Sequence, residues 1–458
     1  MISNSQHSPA FHELNLPEPL LRATDQLGFN HCTEIQALSL PIIDDGQDIA
    51  AQAQTGTGKT AAFLLGAFAR LLDNDGGQRG KNQPRMLIIA PTRELAIQIG
   101  KDAQSLAQYS ELRTTTVYGG IDYEKQRKQL ADGVDVLIGT PGRLIDYFKK
   151  HVFNLKKLEI CVLDEADRMF DLGFIADIRY LFRRMPEPEQ RMSMLFSATL
   201  SHRVMELAYE HMNNPTLVKT ETTGVTAEGV NQQLFQPAAD EKISLLLGLM
   251  QQMTPSRSII FVNTKRTAEY VEGYLLGNDI KCGTLSGDVR QNKRQRILND
   301  FTAGKLPVLI ATDVAARGLH IDAVTHVFNY DLPQQAEDYV HRIGRTARAG
   351  TQGEAASFAC EEYSFSLPDI QEYIGKSIPL ANITVDLLIT PKQAKRIERD
   401  RVPSYKAGKP GGKRSGKRRN KSGSGNARTH GDNNKKSPDS KKKSRRRRRS
   451  KKSPNTPN

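Results

Sequence analysis

The stretch from Ile160 to Asp167, which reads Ile-Cys-Val-Leu-Asp-Glu-Ala-Asp, is a short apolar run that ends abruptly in carboxylates. Such a run predicts a buried parallel strand whose C-terminal end opens onto a polar site, where open α/β sheets place their ligands. A second short apolar stretch leads into Ala53-Gln-Thr-Gly-Thr-Gly-Lys-Thr60, and the helical pattern of Ala61 to Leu72 follows it. Because both polar stretches follow strands, we expect them to meet at one edge of one sheet.

The loop from Ala53 to Thr60 has the composition of a phosphate cradle. Its glycines let backbone N–H groups curl around phosphate, Lys59 can reach the outer phosphates, and Thr60 can offer its hydroxyl to Mg²⁺. Asp164 supplies the carboxylate that such a metal needs. Ala53 stands where the usual pattern has its first glycine, and each motif alone could be a chance match or a solvated loop. Together and in this order they favour a nucleotide site formed by Ala53, Gln54, Thr55, Gly56, Thr57, Gly58, Lys59, Thr60 and Asp164.

Apolar runs alternate with helical segments through both halves of the chain. In the first half Met86 to Ala90 and Met192 to Ser197 are examples. Alternation of this kind predicts a parallel, doubly wound sheet. After a Thr- and Gly-rich linker at Glu221 to Glu228 the pattern restarts, with further strands at Ser258 to Val262 and Pro307 to Ala311. The second half has no Gly-Lys-Thr of its own, so we infer a second α/β domain that works across a cleft from the first.

The net charge of +14 comes from the end of the chain. Residues 392–458 hold 26 Lys and Arg against 4 Asp and Glu, whereas the rest of the chain holds 39 against 47. A segment this basic and this poor in apolar residues cannot bury enough surface to fold, so we predict a disordered tail that attracts polyanions. No apolar run reaches the length of a membrane span, and four scattered cysteines are typical of free thiols. A cytoplasmic protein without a membrane partner is therefore expected.

Three motifs together resemble those of the DEAD-box ATP-dependent RNA helicases: Asp164-Glu-Ala-Asp167, Ser197-Ala-Thr199 and His341-Arg-Ile-Gly-Arg-Thr-Ala-Arg348. The resemblance covers Phe11 to Pro391. It implies an α/β protein of two tandem RecA-like domains, each a doubly wound parallel sheet, that bind ATP, Mg²⁺ and a single strand of RNA. The expected divisions are residues 1–219 for the ATP-binding domain, 220–230 for the linker, 231–391 for the helicase domain and 392–458 for the tail.

The resemblance also implies roles for individual residues. Phe11 and Gln36 match the positions that recognise adenine, and Asp164 with Thr60 is expected to hold Mg²⁺, the carboxylate through water. The expected catalytic residues are Lys59, Asp164, Glu165, His341, Arg345 and Arg348. Contacts to the RNA backbone are expected from Arg93, Gly120, Thr140, Arg143, Gln291, Arg294 and Thr312. Coupling between nucleotide state and the sheet is expected from Asp167, Ser197 and Thr199.

Three positions depart from the family pattern. Cys32 replaces a proline, which is expected to loosen its loop without removing a ligand group. His320 replaces an aspartate that approaches the ATP ribose, and Ala347 replaces a glycine. Details around Cys32 and His320 look closest to a bacterial type that is linked to ribonuclease E in an RNA-degradation assembly.

Other functions are compatible with parts of the sequence. The basic tail could act alone in a non-enzymatic RNA-binding or annealing protein, with the two domains as a scaffold. The same architecture would also serve a DNA-directed motor. The arginines from His341 to Arg348 could form a salt-bridged surface helix, and the hydroxyls of Ser197 and Thr199 could merely cap the helix that begins near Ser201.

Overall fold

The computed structural model describes residues 8–54, 56–74, 76–220, 229–316, 324–347 and 352–397. These residues belong to one compact unit that extends to Arg401. Two parallel sheets organise it, and we call the parts built on them lobe 1 (residues 8–220) and lobe 2 (residues 229–397).

Lobe 1 is built on seven described strands, all parallel. They are β1 Ile49–Gln52, β2 Met86–Ile89, β3 Thr114–Val117, β4 Val136–Gly139, β5 Ile160–Asp164, β6 Met192–Ser197 and β7 Thr216–Lys219. Their spatial order is β3-β4-β2-β5-β6-β1-β7, so the strand with the carboxylates at its end is the central one. All five residues of β5 are buried, because helices cover both faces of a doubly wound parallel sheet.

The described helices of lobe 1 lie on both faces of its sheet. They are α1 Glu18–Gln26, α2 Glu34–Asp44, α3 Lys59–Asp73, α4 Arg93–Leu106, α5 Tyr123–Asp132, α6 Pro141–Lys149, α7 Ala166–Asp171, α8 Ile175–Phe182 and α9 His202–His211. One core lies on the α3 face, where Phe63 and Phe68 are fully buried, and a second lies on the opposite face around Tyr147 and Phe153.

Lobe 2 repeats the plan with six described parallel strands. They are β8 Val230–Phe235, β9 Ser258–Phe261, β10 Cys282–Leu285, β11 Val308–Ala311, β12 His326–Asn329 and β13 Gly353–Phe358. Their spatial order is β10-β11-β9-β12-β13-β8. The helices are α10 Lys242–Met253, α11 Lys265–Gly277, α12 Gln291–Thr302, α13 Asp313–Ala316, α14 Ala336–Ile343 and α15 Leu367–Ile374. Of the helices within the described ranges, none has the length and apolarity needed to cross a membrane.

The fold class expected from the sequence is confirmed. Three strands, β7, β8 and β13, were not predicted from the sequence, and the reason in each case is physical. β8 reads Val-Asn-Gln-Gln-Leu-Phe and β13 begins Gly-Glu, so neither is an apolar run. β7 is the edge strand of its sheet and is largely exposed. The predicted linker falls mostly on residues 221–228, which lie outside the described residues, as does the tail from residue 398 onward.

The end of the described chain packs along lobe 2. Close to Leu387 it lies so near α10 that a Cβ on Gly248 would come within 2.0 Å of the Leu387 carbonyl oxygen. Farther on, the Lys395 amide donates to the Gly273 carbonyl at 2.9 Å, and Lys392 lies 3.0 Å from the Asp279 carboxylate. The described chain therefore includes the first six residues of the predicted tail, 392–397.

Replacing Gly248 by alanine is expected to destabilise lobe 2. At an exposed helix position this change raises the free energy of unfolding by about 1 kcal/mol. Here the new methyl group would collide with the backbone, and overpacking lowers stability by about 1–3 kcal/mol. Denaturant unfolding measures the difference. Gly287→Ala is the control, because its added methyl group meets nothing closer than 3.8 Å. A Gly248→Ala protein as stable as the unaltered chain would contradict the packing described.

Candidate active site and nucleic-acid interface

The glycine-rich loop joins β1 to α3 and folds back on itself. Gly56 and Gly58 have φ values of 87° and 92°, a left-handed region in which a side chain would be strained. Lys59 begins α3, is only 6% exposed, and donates from Nζ to the Ala53 carbonyl at 2.7 Å. The N-terminal end of α3 presents free N–H groups next to this ammonium, which is the arrangement that binds phosphate. Thr55 lies outside the described residues.

The carboxylates after β5 are buried at the same edge of the sheet. Asp164 is 3% exposed and accepts a hydrogen bond from the Glu165 amide at 2.9 Å. Burial raises the pKa of Asp164 to about 7, and the neighbouring Lys59 opposes that rise. Glu165 itself has φ 53°. Its Oε2 is buried without a hydrogen-bond partner among the described residues, so the site holds a strained residue with an unsatisfied acceptor.

The donor set fits a magnesium ion. Mg²⁺ prefers oxygen ligands and usually takes one or two from protein, with phosphate and water completing its shell. Thr60 and Asp164 both line the cavity and offer a hydroxyl and a carboxylate. Within the described ranges no cluster of three or more His, Cys, Asp or Glu side chains could hold a metal alone. The site therefore suits a metal that arrives with a nucleotide.

Asp167 contacts the Ser-Ala-Thr stretch after β6. Its amide donates to Ser197 Oγ at 3.2 Å. Its Oδ2 accepts from the Thr199 amide at 3.0 Å and from Thr199 Oγ1 at 3.3 Å. Ser201 is the N-cap residue of α9 but makes no side-chain capping bond. The two hydroxyls thus bond to Asp167, the contact on which the expected coupling role depends.

A cavity of about 960 Å³ joins the two lobes at this point. Lobe 1 contributes Lys59, Asp164 and Glu165, and lobe 2 contributes Arg345. Arg345 is 7% exposed, and its Nε donates to the His341 carbonyl at 3.1 Å. The volume lies within the range of small-molecule sites. Arg348 lies outside the described residues.

A buried ion pair that the sequence did not reveal crosses the cleft beside the cavity. Arg168, in α7 directly after the carboxylates, lies 2.9 Å from the Asp338 carboxylate of α14. Both residues are less than 8% exposed. The Arg168 guanidinium also contacts His341 Nδ1. The ion pair therefore joins α7, which follows the carboxylates of lobe 1, to α14, which carries His341 in lobe 2. The two residues of the pair are 170 positions apart in the chain.

Of the two expected adenine residues, Gln36 contacts the glycine-rich loop. Gln36 accepts from the Thr33 amide at 2.8 Å and donates to the Gly58 carbonyl at 3.1 Å, so it connects α2 to the loop. Phe11 is 3% exposed and packs against Phe29 with ring centroids 6.2 Å apart. Phe29 lines the cavity, whereas Phe11 does not. An aromatic surface is therefore present, with Phe29 as the exposed ring.

Cys32, which replaces the family's proline, makes a backbone hydrogen bond of its own. Its amide donates to the Pro9 carbonyl at 2.8 Å, a bond that a proline could not make. The neighbouring residues Ala10 and His31 form an antiparallel bridge. The segment that carries Phe11 is thereby fixed to the start of α2. His320, the other departure near the site, lies outside the described residues.

Five of the seven expected RNA contacts are linked where the lobes meet, whereas Thr140 and Arg143 lie next to each other at the start of α6 in lobe 1. In lobe 1 the Thr140 amide donates to Val117, and Arg93 lies against Gly120. Across the cleft, Arg93 donates to Gln291 Oε1 at 3.3 Å. Arg143, Arg294 and Thr312 complete the set, with the Ala315 amide bonded to the Thr312 carbonyl.

Glu94 holds this region together and was not singled out from the sequence. It accepts from Gln291 at 3.2 Å and also bonds the Arg294 guanidinium, which in turn bonds the Ala315 carbonyl. Gln291 and Arg294 are each 8% exposed. In this conformation their polar groups serve the contact between lobes.

Arg342 lies in the same motif as His341 and Arg345, but its side chain makes structural contacts within lobe 2. It is 1% exposed and donates to both oxygens of Asp313, at 2.6 and 2.7 Å. Another hydrogen bond joins it to Asn263 at 2.9 Å. It ties α13 and α14 to the sheet, which supports the position of Arg345.

The nucleotide-free protein is expected to gain stability from Asp164→Asn, and more so at higher pH. Because the folded-state pKa of about 7 exceeds the unfolded value of about 3.9, ionised Asp164 lowers stability, fully above pH 7 and not at all below about pH 4. Thermal unfolding in EDTA at pH 5 and pH 8 measures this. Asp132→Asn, an exposed carboxylate in α5, is the control. A stabilisation that shrinks as pH rises would contradict the assignment.

Comparisons with known proteins agree with this geometry. Residues 33–207 match the family model described as DEAD/DEAH box helicase, and residues 241–350 match the helicase conserved C-terminal domain. The ATP-dependent RNA helicase RhlB of Idiomarina loihiensis is 53% identical over 416 residues, which are 90% of this chain and 98% of that protein. RhlB of Pseudoalteromonas atlantica is 53% identical over 399 residues, 86% of this chain and 94% of that protein.

Solved structures share the two-lobed fold. S. cerevisiae Dbp5 bound to RNA and ADP BeF3 has a TM-score of 0.72 and 33% identity, covering 82% of this chain and 95% of that one. Mss116p with a double deletion of its NTE and C-tail, bound to ssRNA and AMP-PNP, has a TM-score of 0.75 and 26% identity, covering 83% and 81%. The resemblance inferred from the motifs is confirmed. The chain belongs to the DEAD-box ATP-dependent RNA helicases and, within them, to the group named RhlB.

Proposed function

We propose that this chain hydrolyses ATP when RNA is bound and uses closure of its two lobes to open short RNA duplexes. The observation that carries the proposal is the cavity lined by Lys59, Asp164 and Glu165 of lobe 1 and by Arg345 of lobe 2. Neither lobe holds all four groups. A site that needs both lobes links phosphate chemistry to their relative position.

On the nucleotide side each residue has a distinct role. Lys59 exchanges the Ala53 carbonyl for the outer phosphates, and the N-terminal end of α3 binds them through its N–H groups. Thr60, and Asp164 through water, would hold Mg²⁺, which would neutralise phosphate charge. Glu165 Oε2 accepts a hydrogen bond from the attacking water and acts as its base or orienter.

Lobe 2 completes the site only when it lies against lobe 1. Arg345 neutralises charge on the transferring phosphoryl group, a role worth about 10³- to 10⁵-fold in rate where such arginines have been studied. His341 helps to order the water, and Arg348 is expected beside Arg345. Hydrolysis is thereby tied to closure.

On the RNA side, a groove between the lobes binds one strand through its sugar-phosphate backbone. The groove is formed by Arg93, Gly120, Thr140, Arg143, Gln291, Arg294 and Thr312. Backbone contacts position a strand without reading its bases. If the gripped strand bends, its partner cannot follow. Each base-pair step given up costs about 1.4 kcal/mol, by the value for DNA stacking, so only short duplexes open.

The cellular setting is also a proposal. The likeness to RhlB supports a cytoplasmic role in RNA degradation with ribonuclease E as a partner. The Lys/Arg-rich residues 392–458 would keep RNA near the groove through sequence-independent attraction to phosphate.

Turnover of ATP, measured with and without single-stranded RNA, tests the proposal. We expect RNA to stimulate the unaltered chain. We expect Glu165→Gln to lower stimulated turnover by about 10²-fold or more, as loss of a catalytic base does, while nucleotide binding persists. Glu124→Gln, an exposed carboxylate in α5, is the control.

Single-stranded DNA of the same length separates the rival motor. Equal stimulation by DNA would favour a DNA-directed enzyme. Absence of turnover with RNA, with or without the ribonuclease E partner, would favour a non-enzymatic RNA-binding protein.

A further inference from the structure

A strip of alternating cations and tyrosine rings runs from the RNA groove along one side of lobe 1. We name it the α6 track, and its members are Arg143, Tyr123, Lys150, Lys149, Tyr180 and Arg184. The Arg143 guanidinium lies 5.3 Å from the centroid of the Tyr123 ring, and Lys150 Nζ lies 4.5 Å from it. Lys149 Nζ lies 5.2 Å from the Tyr180 centroid, and the Arg184 guanidinium lies 3.4 Å from it.

The two halves of the track are joined by adjacent aromatic residues of α6. Tyr147 packs edge-on against Tyr123 with centroids 4.7 Å apart, and Phe148 packs against Tyr180 at 6.3 Å. The Tyr147 hydroxyl accepts from Arg143 at 3.1 Å and donates to the Tyr123 carbonyl at 2.7 Å. Both halves of the track therefore pack against α6, whose first turn carries an expected RNA contact, and the fully buried Tyr147 supports Arg143 and Tyr123 from below.

The charge of the track is strongly positive in a body that is otherwise acidic. The track holds four cations, and one of them, Lys150, pairs with the Asp146 carboxylate at 2.9 Å. Both of these side chains are more than 40% exposed, so the pair is screened by solvent and contributes little. Residues 1–391 hold 39 basic against 47 acidic side chains. A local excess of cations on that background is a specific feature of this surface.

The geometry favours a phosphate backbone as the ligand. Each tyrosine already has cations against it, so its ring serves to position them more than to stack on bases. Cations held over rings lose less conformational entropy on binding than free side chains. From Arg143 to Lys150 the helix rises about 10 Å, which extends the groove in one direction.

We propose that the α6 track binds the backbone of RNA that continues out of the groove. This rests on the proposed function, since it presupposes RNA in the groove. The track gives lobe 1 a second, sequence-independent hold on long RNA beyond the nucleotides that the two lobes share.

The test compares two pairs of adjacent exposed lysines in lobe 1. Lys149→Gln/Lys150→Gln removes two cations of the track, and Lys156→Gln/Lys157→Gln removes the same charge elsewhere. The full chain binds oligouridylates of about six and about twenty nucleotides across a range of salt. For the longer RNA we expect the track variant to have a salt slope shallower by about 1.4, because each phosphate that a lysine neutralises adds about 0.7 to the slope. For the shorter RNA, which fills only the groove, we expect no difference.

Other outcomes overturn the proposal. Equal effects of the two lysine pairs, or equal effects on both RNA lengths, would mean that the lysines act only as general charge. Binding of poly-glutamate to the same proteins is measured in parallel. If the track variant loses poly-glutamate binding and its RNA binding is unchanged, the track binds an acidic protein partner instead. If the unaltered chain binds neither RNA, the proposed function itself fails, and the track with it.

Discussion

The burial of two carboxylates, with a third half-buried beside them, at the end of one central strand is the constraint on which the rest of the structure depends. Asp164 ends the middle strand of lobe 1, and Glu165 and Asp167 follow it. Neither Asp164 nor Glu165 is more than 8% exposed. Carboxylates gathered out of water are costly unless charges or donors compensate them. Lys59 lies near Asp164, and hydroxyls after β6 bond to Asp167. Glu165 retains a buried oxygen without a hydrogen-bond partner among the described residues, and the proposed mechanism uses that oxygen to accept from water.

The same constraint explains how lobe 2 is held. Arg168 follows the carboxylates and pairs with Asp338, while Arg345 of lobe 2 lines the cavity in front of them. Glu94 of lobe 1 makes a second set of contacts across the cleft, with Gln291 and Arg294 of lobe 2, beside the expected RNA contacts. Charge therefore crosses the cleft at both ends, once beside the nucleotide site and once beside the groove. Opening the lobes would break both sets of interactions together.

Local patterns predicted most of the fold, and long-range pairing could not be predicted. β5 and β6 were expected from apolar runs, and the loop before Lys59 from its glycines. Strands such as β8 and β13, with polar sequences, needed tertiary context to be recognised. Arg168 and Asp338 are 170 residues apart, so no spacing rule joins them. The bond made by the Cys32 amide was also missed, because it joins residues 23 positions apart in the chain and no local pattern predicts it.

A double-mutant cycle on the ion pair across the cleft tests the central claim most directly. Affinity for single-stranded RNA would be measured with a non-hydrolysable ATP analogue and without nucleotide, for Arg168→Gln, Asp338→Asn and both together. An unpaired buried charge costs about 3–5 kcal/mol, so each single change should weaken analogue-dependent binding about tenfold or more. The double change should be little worse than either, and nucleotide-free binding should not change. Additive effects, or equal losses without nucleotide, would contradict coupling through this pair.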